Sequence, residues 1–329
     1  GGNLSVSGTS NVIGAASFQA TVTAVGAATF KDDVSVSGNT RLGGTVTVGG
    51  AVSLASSLSV GGVANFADTV TIAGAVSLAS TLSVGGASNF ASTVTVVGAG
   101  TFKDDVSGSG NTRLLGTVTV GGAVSLASTL SVGGVANFAD TVTVAGAVSL
   151  ASTLSVGGAS NFASTVTVVG AAAFKSNVSV SGNVDIAGNV SVGGTLFAAG
   201  GITYDGNVSV SGNLAVGGNV SVGGTLSVTG AVSLASTLSV GGATNLLGTV
   251  TATGNSGFLG TVRVSGATSL EAGLVVGGKA EFNDDVCVSG NSQLVGTLKV
   301  TGATTVTGNT GFLGTVRVSG ATSLEGALN

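Results

Sequence analysis

A period of six residues runs through this chain from residue 2 to residue 325 without an insertion, dividing it into 54 hexads. Position 1 of the hexad is Gly in 39 of them and Ala, Ser or Asp in the rest. Position 5 is Val, Ile, Leu, Phe or Tyr in 50, the exceptions being Ala24, Gly108, Ala198 and Ala252. Position 3 is usually apolar or small, and positions 2 and 4 are mostly Ser, Thr, Asn or Ala. Alternation within a hexad puts positions 3 and 5 on one side of a short strand and positions 2 and 4 on the other. Glycine at the junction suits a bend. A bend in every hexad leaves no length for loops, so the chain must wind as a narrow coil of short strands stacked in parallel around a dry interior. The expected fold is all-β: a parallel β-helix, or β-solenoid, of hexapeptide repeats.

Composition narrows the function. Charged residues make up 7% of the chain, against roughly 25% in an ordinary soluble domain. At 43% hydrophobic the chain is nonetheless too apolar for a disordered polar segment. The net charge of −4 is scattered, which is unlike a nucleic-acid footprint. No apolar run reaches the ~18 residues of a membrane helix, and the strands fall short of the about ten residues of a membrane barrel. A single cysteine excludes an intrachain disulfide framework. The first residues, Gly1-Gly2-Asn3-Leu4, lie inside the repeat pattern and carry no signal-peptide features. We expect the chain to belong to something longer, with flanking sequence or end-to-end stacking covering the strand edges.

The segments Val60-Gly61-Gly62-Val63-Ala64-Asn65-Phe66-Ala67 and Ile72-Ala73-Gly74-Ala75-Val76-Ser77-Leu78-Ala79 resemble the hexapeptide repeat of left-handed β-helices, and the likeness covers nearly the whole chain. Runs such as GNVSVSGNLAVGGNVSVGGTLSVTG, starting at Gly206, are similar in style to the repetitive shafts of bacteriophage and large-virus fibre proteins. The resemblance implies a fibre shaft. Acyltransferases and carbonic anhydrases built on the hexapeptide helix depend on His, and this chain has none, so neither their base nor their metal site carries over.

A longer period complicates the coil. Thr-Val-Thr starts at Thr21, Thr45, Thr69, Thr93, Thr117, Thr141 and Thr165, always 24 apart, and Phe30-Lys31-Asp32-Asp33 returns 72 later as Phe102-Lys103-Asp104-Asp105. A single-chain triangular coil takes three hexads, whereas these copies are four hexads apart. A triple-stranded β-helix of three identical chains puts like hexads at one height whatever their spacing. On this arithmetic a trimer is slightly favoured over a single-chain left-handed triangular solenoid, and a four-sided coil also aligns the motif. We expect one continuous array over residues 1–329, with zones 1–175, 176–229 and 230–329, and Phe66, Phe90, Phe138 and Phe162 pointing inward. Phe197 falls at an outward position.

Candidate chemistry is sparse. Cys287 occupies an outward position where Ser or Thr usually stands, with no His to activate it. The Lys-Asp-Asp corners at 31–33 and 103–105, and Asp284-Asp285 after Glu281, could offer oxygens to Ca²⁺, though solvated corners explain them as well. Asn3, Asn177, Asn189, Asn207 and Asn219 begin Asn-x-Ser, which matters only in a secretory pathway. We expect no enzyme activity, no catalytic, cofactor-binding or metal-binding residues and no cofactor. The expected partners are other copies of the chain, as a homotrimer or stacked end to end, together with a tip or anchoring domain. Neither nucleic acid nor membrane is expected. The expected role is the rigid shaft of an extracellular or virion-surface fibre. The alternatives are a surface adhesin or matrix filament, and an ice-binding solenoid.

Overall fold

A computed structural model describes residues 2–272, 274–276, 278–288 and 292–324. They form a parallel β-solenoid in two compact units, Gly1–Ser164 and Thr165–Asn329. No helix occurs among the described residues. Each strand is three residues long and occupies positions 3 to 5 of its hexad, from Leu4–Val6 onward, and positions 6, 1 and 2 make the corner that follows.

Three strands complete a coil, so every third strand lies on the same face. Face one of the first unit begins Leu4–Val6, Val22–Ala24, Thr40–Leu42; face two Ser10–Val12, Ala28–Phe30, Val46–Val48; face three Ala16–Phe18, Val34–Val36, Val52–Leu54. The ladder pairs residue n with n+18 of the same chain. Val60 lies beside Leu78, Phe66 beside Val84 and Ile72 beside Phe90. The second unit keeps this register, with Val192 beside Val210 and Tyr204 beside Val222. The corners are bonded too: Leu58 N–H donates to the Ala75 carbonyl at 2.9 Å, and Gly61 N–H to the Leu42 carbonyl at 2.8 Å.

Positions 3 and 5 fill the interior and position 4 faces out, giving a buried–exposed–buried pattern along most strands. Phe66, Phe90, Phe138 and Phe162 are all inside, none more than 5% exposed, and Phe197 is outside at 47%. Along the ladder a Phe never lies on a Phe. Phe102 sits between Val84 and Val120, and Phe138 between Val120 and Val156. Large rings thus alternate with medium side chains, as close packing at fixed coil spacing requires. Among the described residues, small apolar cavities of about 20 Å³ lie beside Thr40 and Phe66 and beside Ser256 and Phe282, each with room for about one water molecule.

The corner glycines have a different cause from the one expected. Among the described residues only Gly296 has a positive φ, so the corners do not need the left-handed backbone that glycine permits. They need space. A Cβ on Gly62 would lie 2.6 Å from the Gly44 carbonyl carbon and 2.7 Å from the Thr45 nitrogen of the coil before. The sequence obeys the resulting rule throughout: no Ala, Ser or Asp at position 1 has another such residue at the same corner of an adjacent coil. Each bulkier corner is flanked by glycine in the coils on either side. This gives the four-hexad spacing of the copies a physical reading that needs no second or third chain.

Candidate functional surfaces

The outward side chains are short and uncharged over most of each unit, and the three-hexad coil decides which of them form rows. Thr21-Val22-Thr23 lies on face one, Thr45-Val46-Thr47 on face two and Thr69-Val70-Thr71 on face three, after which the cycle restarts. The Thr-Val-Thr pairs therefore wind around the solenoid and build no flat threonine array.

The corner amides bridge coils. Asn39 Oδ1 accepts from the backbone N–H and the hydroxyl of Ser57, at 3.4 and 2.8 Å, and from the Ser56 hydroxyl. Asn177 accepts from Thr195 N–H at 2.8 Å. Asn189 accepts from Asn207 N–H, and Asn207 in turn from Thr225 N–H, each at 2.9 Å. Asn3 and Asn219 make the same type of bond to the adjacent coil. The Asn-x-Ser sequences thus coincide with a structural bond that the repeat itself demands.

The paired carboxylates follow the same plan. Asp33, Asp105 and Asp285 each accept from an N–H of the next coil, at Ala51, Ala123 and Ala303. The preceding Asp32, Asp104 and Asp284 each accept from the N–H of the next residue. One oxygen of each carboxylate is thus turned to a backbone donor. Among the described residues no group of three or more His, Cys, Asp or Glu is placed to hold a metal ion. Cys287 is a free, exposed thiol.

The three corners differ in chemistry. The corner after face one exposes Val25, Val97 and Leu115 in the first unit, and Val169, Leu259 and Leu313 in the second. The corner after face three is mostly Ala and Ser in the first unit. The corner after face two collects every acidic residue of the first unit: Asp32, Asp33, Asp68, Asp104, Asp105 and Asp140. Sequence reasoning missed this column. Its signal is the even spacing of Asp32, Asp68, Asp104 and Asp140, six hexads each time, which means nothing until the coil is known to take three.

In the second unit, the outward row of face two reads Arg263, Glu281, Lys299, Arg317, each beside the next in the ladder. Lys279 and Lys299 approach Glu281 at 3.4 and 3.7 Å. The hydrogen bond from Lys279, then the charges of Lys279 and Lys299, hold the Glu281 carboxyl below its ordinary range; some desolvation opposes them, and Arg263 adds a smaller pull in the same direction. Inside the core, burial pushes the Tyr204 phenol above its ordinary range.

Comparison with protein-family models, curated proteins and solved structures found nothing that matches this chain.

Proposed function

We propose that this chain is the structural shaft of a fibre displayed outside a cell or on a virion, acting as a rigid spacer rather than as a catalyst, with each coil closed by a single chain. The observation that carries the reading is the ladder. Each short strand is bonded to its counterpart in the adjacent coil of the same chain, and the corners are bonded too. The interior is apolar, and no loop projects from it among the described residues. Such a column resists bending and offers proteases little slack chain. Because the ladder is intrachain, a lone chain has both its hydrogen-bond partners and its core, which supports the single-chain coil over the triple-stranded one. The winding of the Thr-Val-Thr pairs gives the ice-binding alternative no support.

Two experiments test this. Sedimentation of the dilute folded chain at high salt should give a mass near 30.6 kDa; an inseparable trimer that unfolds on dissociation would defeat the single-chain coil. Immunogold labelling of the producing cell or particle should decorate projecting fibres, and label spread through the cell interior would defeat the shaft.

A further inference from the structure

The charges of this chain are few, and the coil gathers more than half of them into two columns of opposite sign. In the first unit, the corner after face two carries Lys31-Asp32-Asp33, Asp68, Lys103-Asp104-Asp105 and Asp140, on every second coil. The coils between place Gly50, Gly86 and Gly122 at the same corner. Counting each lysine against its neighbours, every charged row has a net charge of −1 and every row between has none. The pitch of the column is two coils, about 10 Å at about 4.8 Å per strand layer. The carboxylates are aimed as well as placed. Asp68 Oδ1 accepts from Thr69 N–H at 2.7 Å and Asp140 Oδ1 from Thr141 N–H at 2.7 Å, which fixes each side chain at the exposed corner.

In the second unit, the outward row of face two has a net positive charge, and its Arg263 and Lys299 stand the same two coils apart. Arg263 carries +1. In the next layer Lys279 offsets Glu281, and Asp284 and Asp285 stand at the corner that follows. Lys299 carries +1 again, and Arg317 adds a further +1 in the layer directly after it. Arg263 and Lys299 are six hexads apart, as are Asp68 and Asp104. These four cations are nearly half of the nine in the chain, and all four are exposed.

We propose that the acidic corner of one copy docks on the basic face of a second copy of this chain. Asp-bearing rows sit against Arg263 and Lys299, and an uncharged glycine row sits against the layer of Lys279, Glu281, Asp284 and Asp285, where an acidic row would be repelled. The acidic column repeats further than the basic row, so the contact fits in more than one register, always a whole number of two-coil steps apart. Single exposed ion pairs are weak; a matched pair of columns makes several at once and fixes the stagger between copies. The proposal goes beyond the shaft reading, since a rod that stays solitary is still a rod.

The test is sedimentation equilibrium of the full chain across ionic strength, with charge-reversed variants. Wild type should associate at about 20 mM NaCl and lose at least tenfold in association constant by about 500 mM, where screening reaches within a few ångströms. Asp68→Lys with Asp104→Lys should weaken self-association at least tenfold at low salt, and so should Arg263→Glu with Lys299→Glu. Mixing the two variants should restore it, because each then supplies the sign the other lost. Conversion of Asp32, Asp68, Asp104 and Asp140 to Asn keeps the oxygen that accepts the next N–H, so it neutralises the column without removing its corner bonds; it should match the reversal, and far-UV circular dichroism confirms that each variant is folded. A wild type that is monomeric at low salt, an association that persists through high salt and both reversals, or a mixture that fails to recover overturns the proposal.

Discussion

Ser88 is a small residue in a costly place. It occupies position 3 of its hexad, 1% exposed, between Val70 and Val106 in the ladder, and its hydroxyl finds no hydrogen-bond partner within the protein. Two sister hexads show what the site tolerates: Ala64 and Ala136 hold the same position ahead of Phe66 and Phe138, both fully buried. An unpaired buried hydroxyl costs about 1–3 kcal/mol. Removing its oxygen leaves a void of roughly 10 Å³, which returns only a few tenths of a kcal/mol. Ser88→Ala should therefore stabilise the first unit by about 1–2 kcal/mol. Stacked repeats need not unfold in one step, so the assay pairs urea unfolding with hydrogen exchange at amides of the flanking strands. Ser59→Ala, on the outward side of its strand, is the control and should change stability by less than about 0.5 kcal/mol. Ser160 repeats the Ser88 site four coils on, and its Ala variant should add to the first, since the two are too far apart to couple. If Ser88→Ala destabilises while Ser59→Ala is neutral, the hydroxyl has a partner and the account of this core layer is wrong.

Other perturbations test other parts of the architecture. Phe138→Ala removes a ring sealed between Val120 and Val156 and should cost about 3–5 kcal/mol in urea unfolding; a loss below about 1 kcal/mol would mean that the coils collapse into the void. Gly122→Ala places a methyl 2.6 Å from the Asp105 nitrogen and should destabilise by more than about 1 kcal/mol although its φ is ordinary, whereas a neutral result would remove close approach as the reason for corner glycine. The Glu281 carboxyl should titrate below the ordinary value of about 4.3 by NMR, and Lys279→Ala should raise its midpoint. Because the folded value is the lower one, any stability this group contributes is present above the unfolded value and is lost as pH falls through the folded one; an unchanged midpoint in the variant would show that Lys279 is not the main cause.

The strand positions and their inward and outward faces were legible from the hexad alone. Val at position 5 and Ser or Thr at position 4 cannot both be inside so short a strand, and the structure places Val60 in and Ser59 out as that alternation requires. The reason for the glycines was not legible. From sequence a corner glycine reads as conformational freedom. Only the stacked coils reveal that Gly62 faces the backbone of Gly44 and Thr45 with no room for a methyl. The charged columns were hidden for a related reason. Asp32 and Asp68 look like scattered acids until the three-hexad coil places them on one corner, two coils apart, and Arg263 and Lys299 look unrelated until Glu281 lies between them in the ladder. The acidic pairs at 32–33 and 104–105 read equally as cation ligands or as solvated corners by adjacency, and the structure shows one oxygen of each carboxylate serving a backbone donor.

The copy length itself follows from the coil. A chain built by copying three hexads at a time would stack every hexad on its own image, placing Phe on Phe through the core, Ser on Ser at the corners and Asp on Asp in an unbroken column. Neighbouring carboxylates would then stand about 4.8 Å apart and repel by about 0.9 kcal/mol per pair in water; doubling the separation halves that. The corners would fail first, since two bulky residues at position 1 in successive coils compete for space that even one methyl overfills at Gly62. Copying four hexads at a time avoids both faults. Each copy advances one face beyond a full coil, so the Thr-Val-Thr strands at Val22–Ala24, Val46–Val48 and Val70–Ile72 fall on faces one, two and three in turn. Like meets like again on the same face only after three copies, which is four coils on and is the distance from Phe30-Lys31-Asp32-Asp33 to Phe102-Lys103-Asp104-Asp105. The mismatch between a four-hexad copy and a three-hexad coil is therefore what allows the nearly repetitive sequence of the first unit to fill a core and line its corners without stacking Phe on Phe or Asp on Asp.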